Sequence, residues 1–121
     1  MYSLNMTSIF TFGLIAFTIQ LAHSFEELIT GFHKKWYFRK LSFRFFLAFE
    51  ILHNIFWLSV LYTESFPVRY QMISFFLVLM FANGIQHVVW AGSVKKYVPG
   101  LATSALHIAN FLVFYFGLFR I

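Results

Sequence analysis

Hydrophobic positions form four long runs along the chain, covering about residues 4–30, 42–63, 70–91 and 100–119. Each is close to the ~20 predominantly apolar residues a helix needs to cross a hydrocarbon core about 30 Å thick. The polar stretches between them are short and carry turn or stop residues: Gly31 after the first run, Glu64, Pro67 and Arg69 after the second, and Gly92 after the third. The pattern predicts an all-α polytopic membrane protein, a single four-transmembrane-helix bundle spanning residues 1–121.

Composition sharpens this picture. With 121 residues that are 60% hydrophobic, 23% aromatic and 11% charged, and with no Asp at all, the chain has no length left for a separate soluble domain. The first segment lacks a basic leading region and ends on His23-Ser24-Phe25-Glu26-Glu27 rather than on a small-residue cleavage site, so it is expected to be a retained helix. Cysteine is absent, which excludes disulfides and thiolate metal ligands.

The net charge of +5 does not indicate nucleic acid, because the basic residues sit in short clusters between apolar runs. Lys34, Lys35, Arg39, Lys40, Arg44, Lys95 and Lys96 flank the first and third loops, and only Arg69 and Arg120 oppose them. The positive-inside rule then predicts an N-out, C-out topology with both basic loops cytoplasmic, in a plasma membrane such as the bacterial inner membrane. Trp36, Tyr37 and Tyr97 on that side, and Tyr62 and Tyr70 on the other, fit interfacial anchors. Gly31-x-x-Lys34-Lys35-Trp36 recurs as Gly92-x-x-Lys95-Lys96-Tyr97. Either a duplicated two-helix hairpin or convergent loop chemistry explains it.

The informative residues are those that do not belong in lipid. At helical spacing, Gln20, His23 and Glu27 form one stripe in the first span, with Glu26 beside it. Glu50, His53 and Asn54 form another in the second, Asn83, Gln86 and His87 a third, and Thr103, His107 and Asn110 a fourth. At about 1.5 Å rise per residue, His23 lies about 10 Å inside its helix end, Glu50 about 9 Å, His87 roughly 7 Å and His107 about 11 Å. These groups are therefore expected to share one layer in the cytoplasmic half, with His53 a turn deeper. Interhelical hydrogen bonding explains any one of them singly, but the whole set exceeds what helix pairing needs. His33 and Glu64 are expected to be solvated loop residues.

Imidazole mixed with carboxylate is the donor set of zinc, iron and manganese sites, and a helix offers two ligands at i,i+3 or i,i+4. The candidate metal ligands are His23, Glu27, Glu50, His53, His87 and His107. Glu26 is the spare acid, a catalytic general base or an outer partner, and Asn54, Asn83 and Asn110 are candidate outer-shell supports. The carboxylate-rich pattern of di-metal helix bundles is not matched, since the third and fourth spans offer His instead of Glu.

His23-Ser24-Phe25-Glu26-Glu27, followed by Asn83-Gly84-Ile85-Gln86-His87 and by Tyr97-Val98-Pro99-Gly100-Leu101-Ala102-Thr103, resembles the HXXEE family of small membrane proteins over essentially the whole chain. The resemblance implies a four-helix membrane domain whose His and Glu matter, without a known reaction. A fainter likeness links Glu26-Glu27, Phe49-x-x-x-His53 and His107 with Asn110 to glutamate-type intramembrane proteases. Those have more helices, and the Arg expected four residues after the Glu pair is replaced by Gly31.

The leading expectation is a metal-dependent membrane enzyme, oxidative or hydrolytic, acting on a lipid or other apolar substrate with iron or zinc. The basic, aromatic first loop suits a lipid-like substrate with a polar head that enters laterally from the inner leaflet. Alternatives are a non-catalytic metal-ion or proton carrier, which would need a homo-oligomer to build a pathway, a glutamate-type intramembrane hydrolase, and a bis-His haem protein.

Overall fold

The computed structural model describes residues 6–118 and is all-α, with five helices. They are α1 (Met6–Thr30), α2 (Phe32–Lys35), α3 (Phe43–Tyr62), α4 (Arg69–Val94) and α5 (Leu101–Leu118). The four long helices fall on the four apolar runs. Residues 4, 5 and 119 of the expected spans, and Arg120, lie outside the described residues.

Local chemistry sets most of the boundaries. Gly31, with φ 81°, stands between α1 and the four-residue α2. Ser42 caps α3, its hydroxyl accepting the Phe45 N–H at 3.1 Å. At the far end of α3, Arg69 Nη2 donates to the Leu61 carbonyl at 2.7 Å, and its guanidinium lies 5.1 Å from the Phe10 ring centroid. That pairs an orphan carbonyl of the last turn with a cation, where the helix dipole favours one.

The stop expected at Gly92 is corrected: α4 runs through it to Val94, and Lys95, at φ 54°, takes the left-handed cap. A Cβ on Gly92 would meet nothing within 4 Å, so no close contact requires glycine there. Gly31 and Gly92 thus stand in different backbone settings, and the repeated sequence around them does not mark a repeated local structure.

α1 packs against α3, α4 and α5, and α4 against α5. α4 and α5 approach closely at Gly84, where a Cβ would lie 2.9 Å from the Ser104 carbonyl oxygen and 3.0 Å from Ile108. Two apolar clusters divide the interior. One joins Ile9, Ala16, Trp57, Leu61, Phe76 and Phe114, and the other joins Phe32, Phe46, Trp90 and Val98. In sequence, the buried polar residues of every long helix fall between the two. The polar layer is therefore a slab with apolar packing above and below.

α1 from Ser8, α3 and α4 are long and apolar enough to cross a membrane; α5 is apolar and shorter. Large apolar side chains such as Ile29, Leu52, Val89 and Val113 point outward from these helices. A bundle with that surface is compatible with a membrane protein, since lipid solvates what water would not.

One loop expectation changes. His33 is buried, with its ring 5.4 Å from that of Phe43 and 6.3 Å from that of Phe46, because the segment after α2 folds back over the bundle end. Trp36 is half-buried and stacks on Phe32 at 5.4 Å. Glu64 is exposed, as its loop position predicts.

Candidate metal centre

Residues on four long helices converge in the polar slab. His23 and Glu27 are one turn apart on α1, so their side chains share a face, and His87 of α4 faces them. Glu27 Oε1 lies 3.1 Å from His23 Nε2, and Glu27 Oε2 lies 3.6 Å from His87 Nε2. Both imidazoles are fully buried and Glu27 nearly so. The rings stand edge to face with centroids 4.8 Å apart.

One donor atom from each of the three residues lies within 4.8 Å of the others. Metal–N and metal–O bonds of about 2.0 Å in a tetrahedral arrangement put neighbouring donors roughly 3.3 Å apart, close to the separations of the two Glu27 oxygens from their imidazoles. Neither ring nitrogen of His87 has a hydrogen-bond partner although both are buried, which is costly for polar atoms unless something engages them, and Nε2 is the one that faces Glu27. Among the described residues, His23, Glu27 and His87 thus form a group that can hold a metal ion.

Of the two roles expected of Glu26, a general base or an outer partner, the contacts it makes are those of an outer partner. Its Oε1 accepts from the Thr103 backbone N–H at 2.9 Å and from the Thr103 hydroxyl at 2.7 Å. Its Oε2 accepts from the Ala102 N–H at 3.1 Å and from the Tyr97 hydroxyl. A carboxylate of α1 therefore caps the first turn of α5, satisfying N–H groups that the helix leaves unpaired. Tyr97, read from sequence as an anchor, is a donor to this cap. Partial burial and its bond to Glu26 hold the phenol above the usual tyrosine range, so it stays protonated.

The cap also reaches the centre. Thr103 Oγ1 lies 2.7 Å from His23 Nδ1. Since the single hydroxyl proton goes to the Glu26 carboxylate, His23 must donate from Nδ1, which leaves Nε2 an acceptor on the side of Glu27, where Asn83 Nδ2 also reaches it at 3.0 Å. A hydrogen bond on the far nitrogen is what normally fixes the tautomer and orientation of a ligating His. Glu26→Ala is expected to remove a helix cap worth about 1–2 kcal/mol and to weaken metal binding by roughly 10–100-fold. Elemental analysis and thermal unfolding of the detergent-solubilised variant check both. Unchanged metal content would instead match a catalytic base with no positioning role.

Gly100 completes the enclosure. At φ 91° it occupies the left-handed region, and a Cβ there would lie 2.6 Å from His87 Cε1 and 2.8 Å from His23 Cε1. The Pro99-Gly100 turn can therefore lie directly on both imidazoles, which no larger residue would allow.

The other expected ligands are placed in the slab but outside the trio. Glu50 Oε2 accepts from the Ser24 hydroxyl at 2.5 Å. Ser24, which sequence reasoning passed over, also accepts from Asn54 Nδ2 at 3.0 Å and from Gln20 Nε2 at 3.4 Å. His107 Nε2 bonds Gln20 Oε1 at 3.2 Å, and its ring centroid is 5.7 Å from that of His23. His53 Nε2 accepts from Trp57 at 3.2 Å, one turn deeper, as its depth predicts. Asn83 Nδ2 approaches His23 Nε2 at 3.0 Å, so it borders the trio itself. Asn110 is remote from the centre and donates to the Phe12 carbonyl at 3.4 Å.

A cavity of about 490 Å3 opens beside this network between α1, α3 and α4. Glu27, Glu50, His53 and Asn83 supply polar lining, and Phe45, Phe49, Leu79 and Met80 supply apolar walls. Phe32, Trp36 and Leu41, from the folded-back segment, line its end nearest α2.

Fold and site together define a class: an all-α, membrane-compatible bundle with a buried His/Glu group able to hold a metal ion. The chain belongs to the HXXEE family, described as a protein of unknown function with HXXEE motif, which it matches over residues 14–115. No curated protein and no solved structure matches it. The motif is His23-x-x-Glu26-Glu27, and the geometry divides its labour: the His and the second Glu face the centre, while the first Glu holds α5.

Proposed function

We propose that the chain is a four-span membrane protein, with α5 as the fourth span, and a metal-dependent enzyme acting on a lipid or other apolar substrate. The supporting observation is the position of Glu27, which belongs both to the His23–Glu27–His87 group and to the lining of the apolar cavity. Two imidazoles and one carboxylate are the protein donors of non-haem iron oxygenases and also of some hydrolytic zinc enzymes. A metal bound by them would supply Lewis-acid or oxygen-activating chemistry.

The remaining steps fall to side chains. Glu26 and Thr103 orient His23. Glu50, facing the cavity with one oxygen held by Ser24, is placed to accept or return a proton at a bound substrate. The aromatic walls exclude water from that exchange.

The other readings find less support. A carrier needs a polar path to both faces, whereas the slab is bounded by apolar clusters on each side. Axial haem ligands must face each other across a macrocycle, whereas His23 and His87 touch edge to face with Gly100 against both. A catalytic pair of adjacent glutamates is hard to reconcile with Glu26 held by α5.

Elemental analysis and the visible spectrum of detergent-purified protein test the proposal. Near-stoichiometric iron without a Soret band supports oxidative chemistry, and zinc supports hydrolysis. A Soret band, or no metal of any kind, overturns the reading. Orientation is checked separately. The bond between Glu26 and Tyr97 brings the end of α1 to the α4–α5 loop, so the clusters around Lys34 and Lys95 lie at one end of the bundle. Reporter fusions at Ser65 and Lys95 are expected on opposite sides of the membrane, with Lys95 cytoplasmic; Lys95 outside would reverse the topology.

A further inference from the structure

A second groove, of about 280 Å3, lies beside the cavity: Leu41 and Phe45 line both spaces, and the groove's other walls are Arg39, Lys40 and Ser42. The two spaces adjoin at these shared walls and lie in one line from the loop to the slab. Along it the chemistry passes from cationic, at Arg39 and Lys40, through the rings of Phe45 and Phe49, to the carboxyl groups of Glu50 and Glu27. Lys34 and Lys35 line neither space, although the sequence places them in the same basic loop.

We propose that this path binds an anionic membrane lipid, with its head group against Arg39 and Lys40 and one hydrocarbon chain in the cavity. The place presented to Glu50 and Glu27 is then in the chain and not in the head. Phe45 and Glu50 are five residues apart on α3, so the acidic end lies about 7.5 Å beyond the mouth, several bonds along an extended chain. An uncharged apolar molecule would make no use of the cationic groove. A small soluble anion would leave the aromatic walls uncovered, and a cationic amphiphile would meet like charge. The volume is within the range that takes one small ligand, which suits one chain and not two. The chemistry done at the chain rests on the metal-enzyme reading above; the binding mode does not.

The test uses full-length protein in neutral detergent, titrated with phosphatidylglycerol or phosphatidylcholine carrying the same bromine-labelled chain. Trp36 lines the cavity, so a bromine in the chain quenches its fluorescence on binding, and Trp36→Phe identifies that part of the signal. Phosphatidylglycerol is expected to quench at lower concentration than phosphatidylcholine. Arg39→Gln with Lys40→Gln is expected to weaken it about 25-fold, near fivefold per charge, while Lys34→Gln with Lys35→Gln leaves it unchanged. Inorganic phosphate is expected not to displace the lipid.

Equal quenching by both lipids overturns the proposal, as does an Arg39/Lys40 double variant that binds as well as the parent or displacement by inorganic phosphate. The same titration on His87→Ala keeps the two readings apart. Lipid selectivity retained there upholds this binding mode whatever the metal analysis returns, and selectivity lost there with helix content intact overturns its independence from the centre.

Discussion

His87→Ala is expected to strip the protein of tightly held metal. His87 supplies a buried Nε2 that faces the Glu27 carboxylate with no other partner, so the substitution deletes a donor and leaves two. The loss should exceed the roughly 10–100-fold that removal of an outer partner of a ligand typically costs. Glu27→Ala should behave alike, because the Glu27 carboxylate approaches both imidazoles. Glu50→Ala and His53→Ala provide the contrast: both line the cavity outside the trio, so metal content should hold, and Glu50→Ala should lose turnover alone. The measurement is metal per protein after dialysis, with helical circular dichroism as the control for folding. If His87→Ala retains its metal, the ion is bound elsewhere.

Gly100→Ala is expected to be the most destabilising single-methyl change in the chain. Its Cβ would sit 2.6 Å from one imidazole and 2.8 Å from the other, on a backbone at φ 91°. Left-handed strain for a non-glycine residue costs about 1–3 kcal/mol, and forcing an extra methyl into a packed interior costs about 1–3 kcal/mol more. A fall in the thermal midpoint of roughly 10 °C or more follows, together with loss of metal as the two rings are pushed apart. Gly92→Ala is the matched control. It adds the same methyl to a helix with nothing within 4 Å, and should be neutral or stabilising by about 0.5–1 kcal/mol. Equal effects of the two substitutions would mean that the turn does not pack on the histidines.

Much of the fold is legible in the sequence because its cause is local. A run of apolar residues at helix length needs no partner to be recognised, and the limits of α1, α3 and α5 follow from Gly31, Ser42 and Gly100 near them. The limit of α4 is not legible in this way, since Gly92 carries the stop signal and Lys95 takes the left-handed cap instead. The polar layer is equally readable: depth alone places His23, Glu50, His87 and His107 together.

Which of its members touch depends on how the helices are rotated and packed, and one-helix periodicity does not specify that. Hence Glu50 and His107 are of the right type and depth yet bond to Ser24 and Gln20. Glu26 is the clearest case. Its partners Ala102 and Thr103 are backbone N–H groups as well as a side chain, and a backbone donor leaves no mark in a sequence. Ser24 was passed over because serine in a span usually bonds its own helix, as Ser59 and Ser93 do here.

The arrangement of the polar slab bears on how such a chain is made. α1 precedes the other long helices described, carrying His23, Glu26 and Glu27, and the groups that meet them from elsewhere in the bundle are Asn83, His87, Tyr97 and Thr103, some 60–80 residues later. A carboxylate placed in the hydrocarbon without a partner costs on the order of 2.5 kcal/mol or more. In a membrane-inserted bundle α1 would therefore carry Glu26 without its partners until α5 arrives, and a chain cut before Leu101 would keep His23, Glu27 and His87 but leave Glu26 no helix start to cap and His23 no Thr103 hydroxyl. The helix that closes the bundle is thus also the one that fixes the orientation of a histidine on the first.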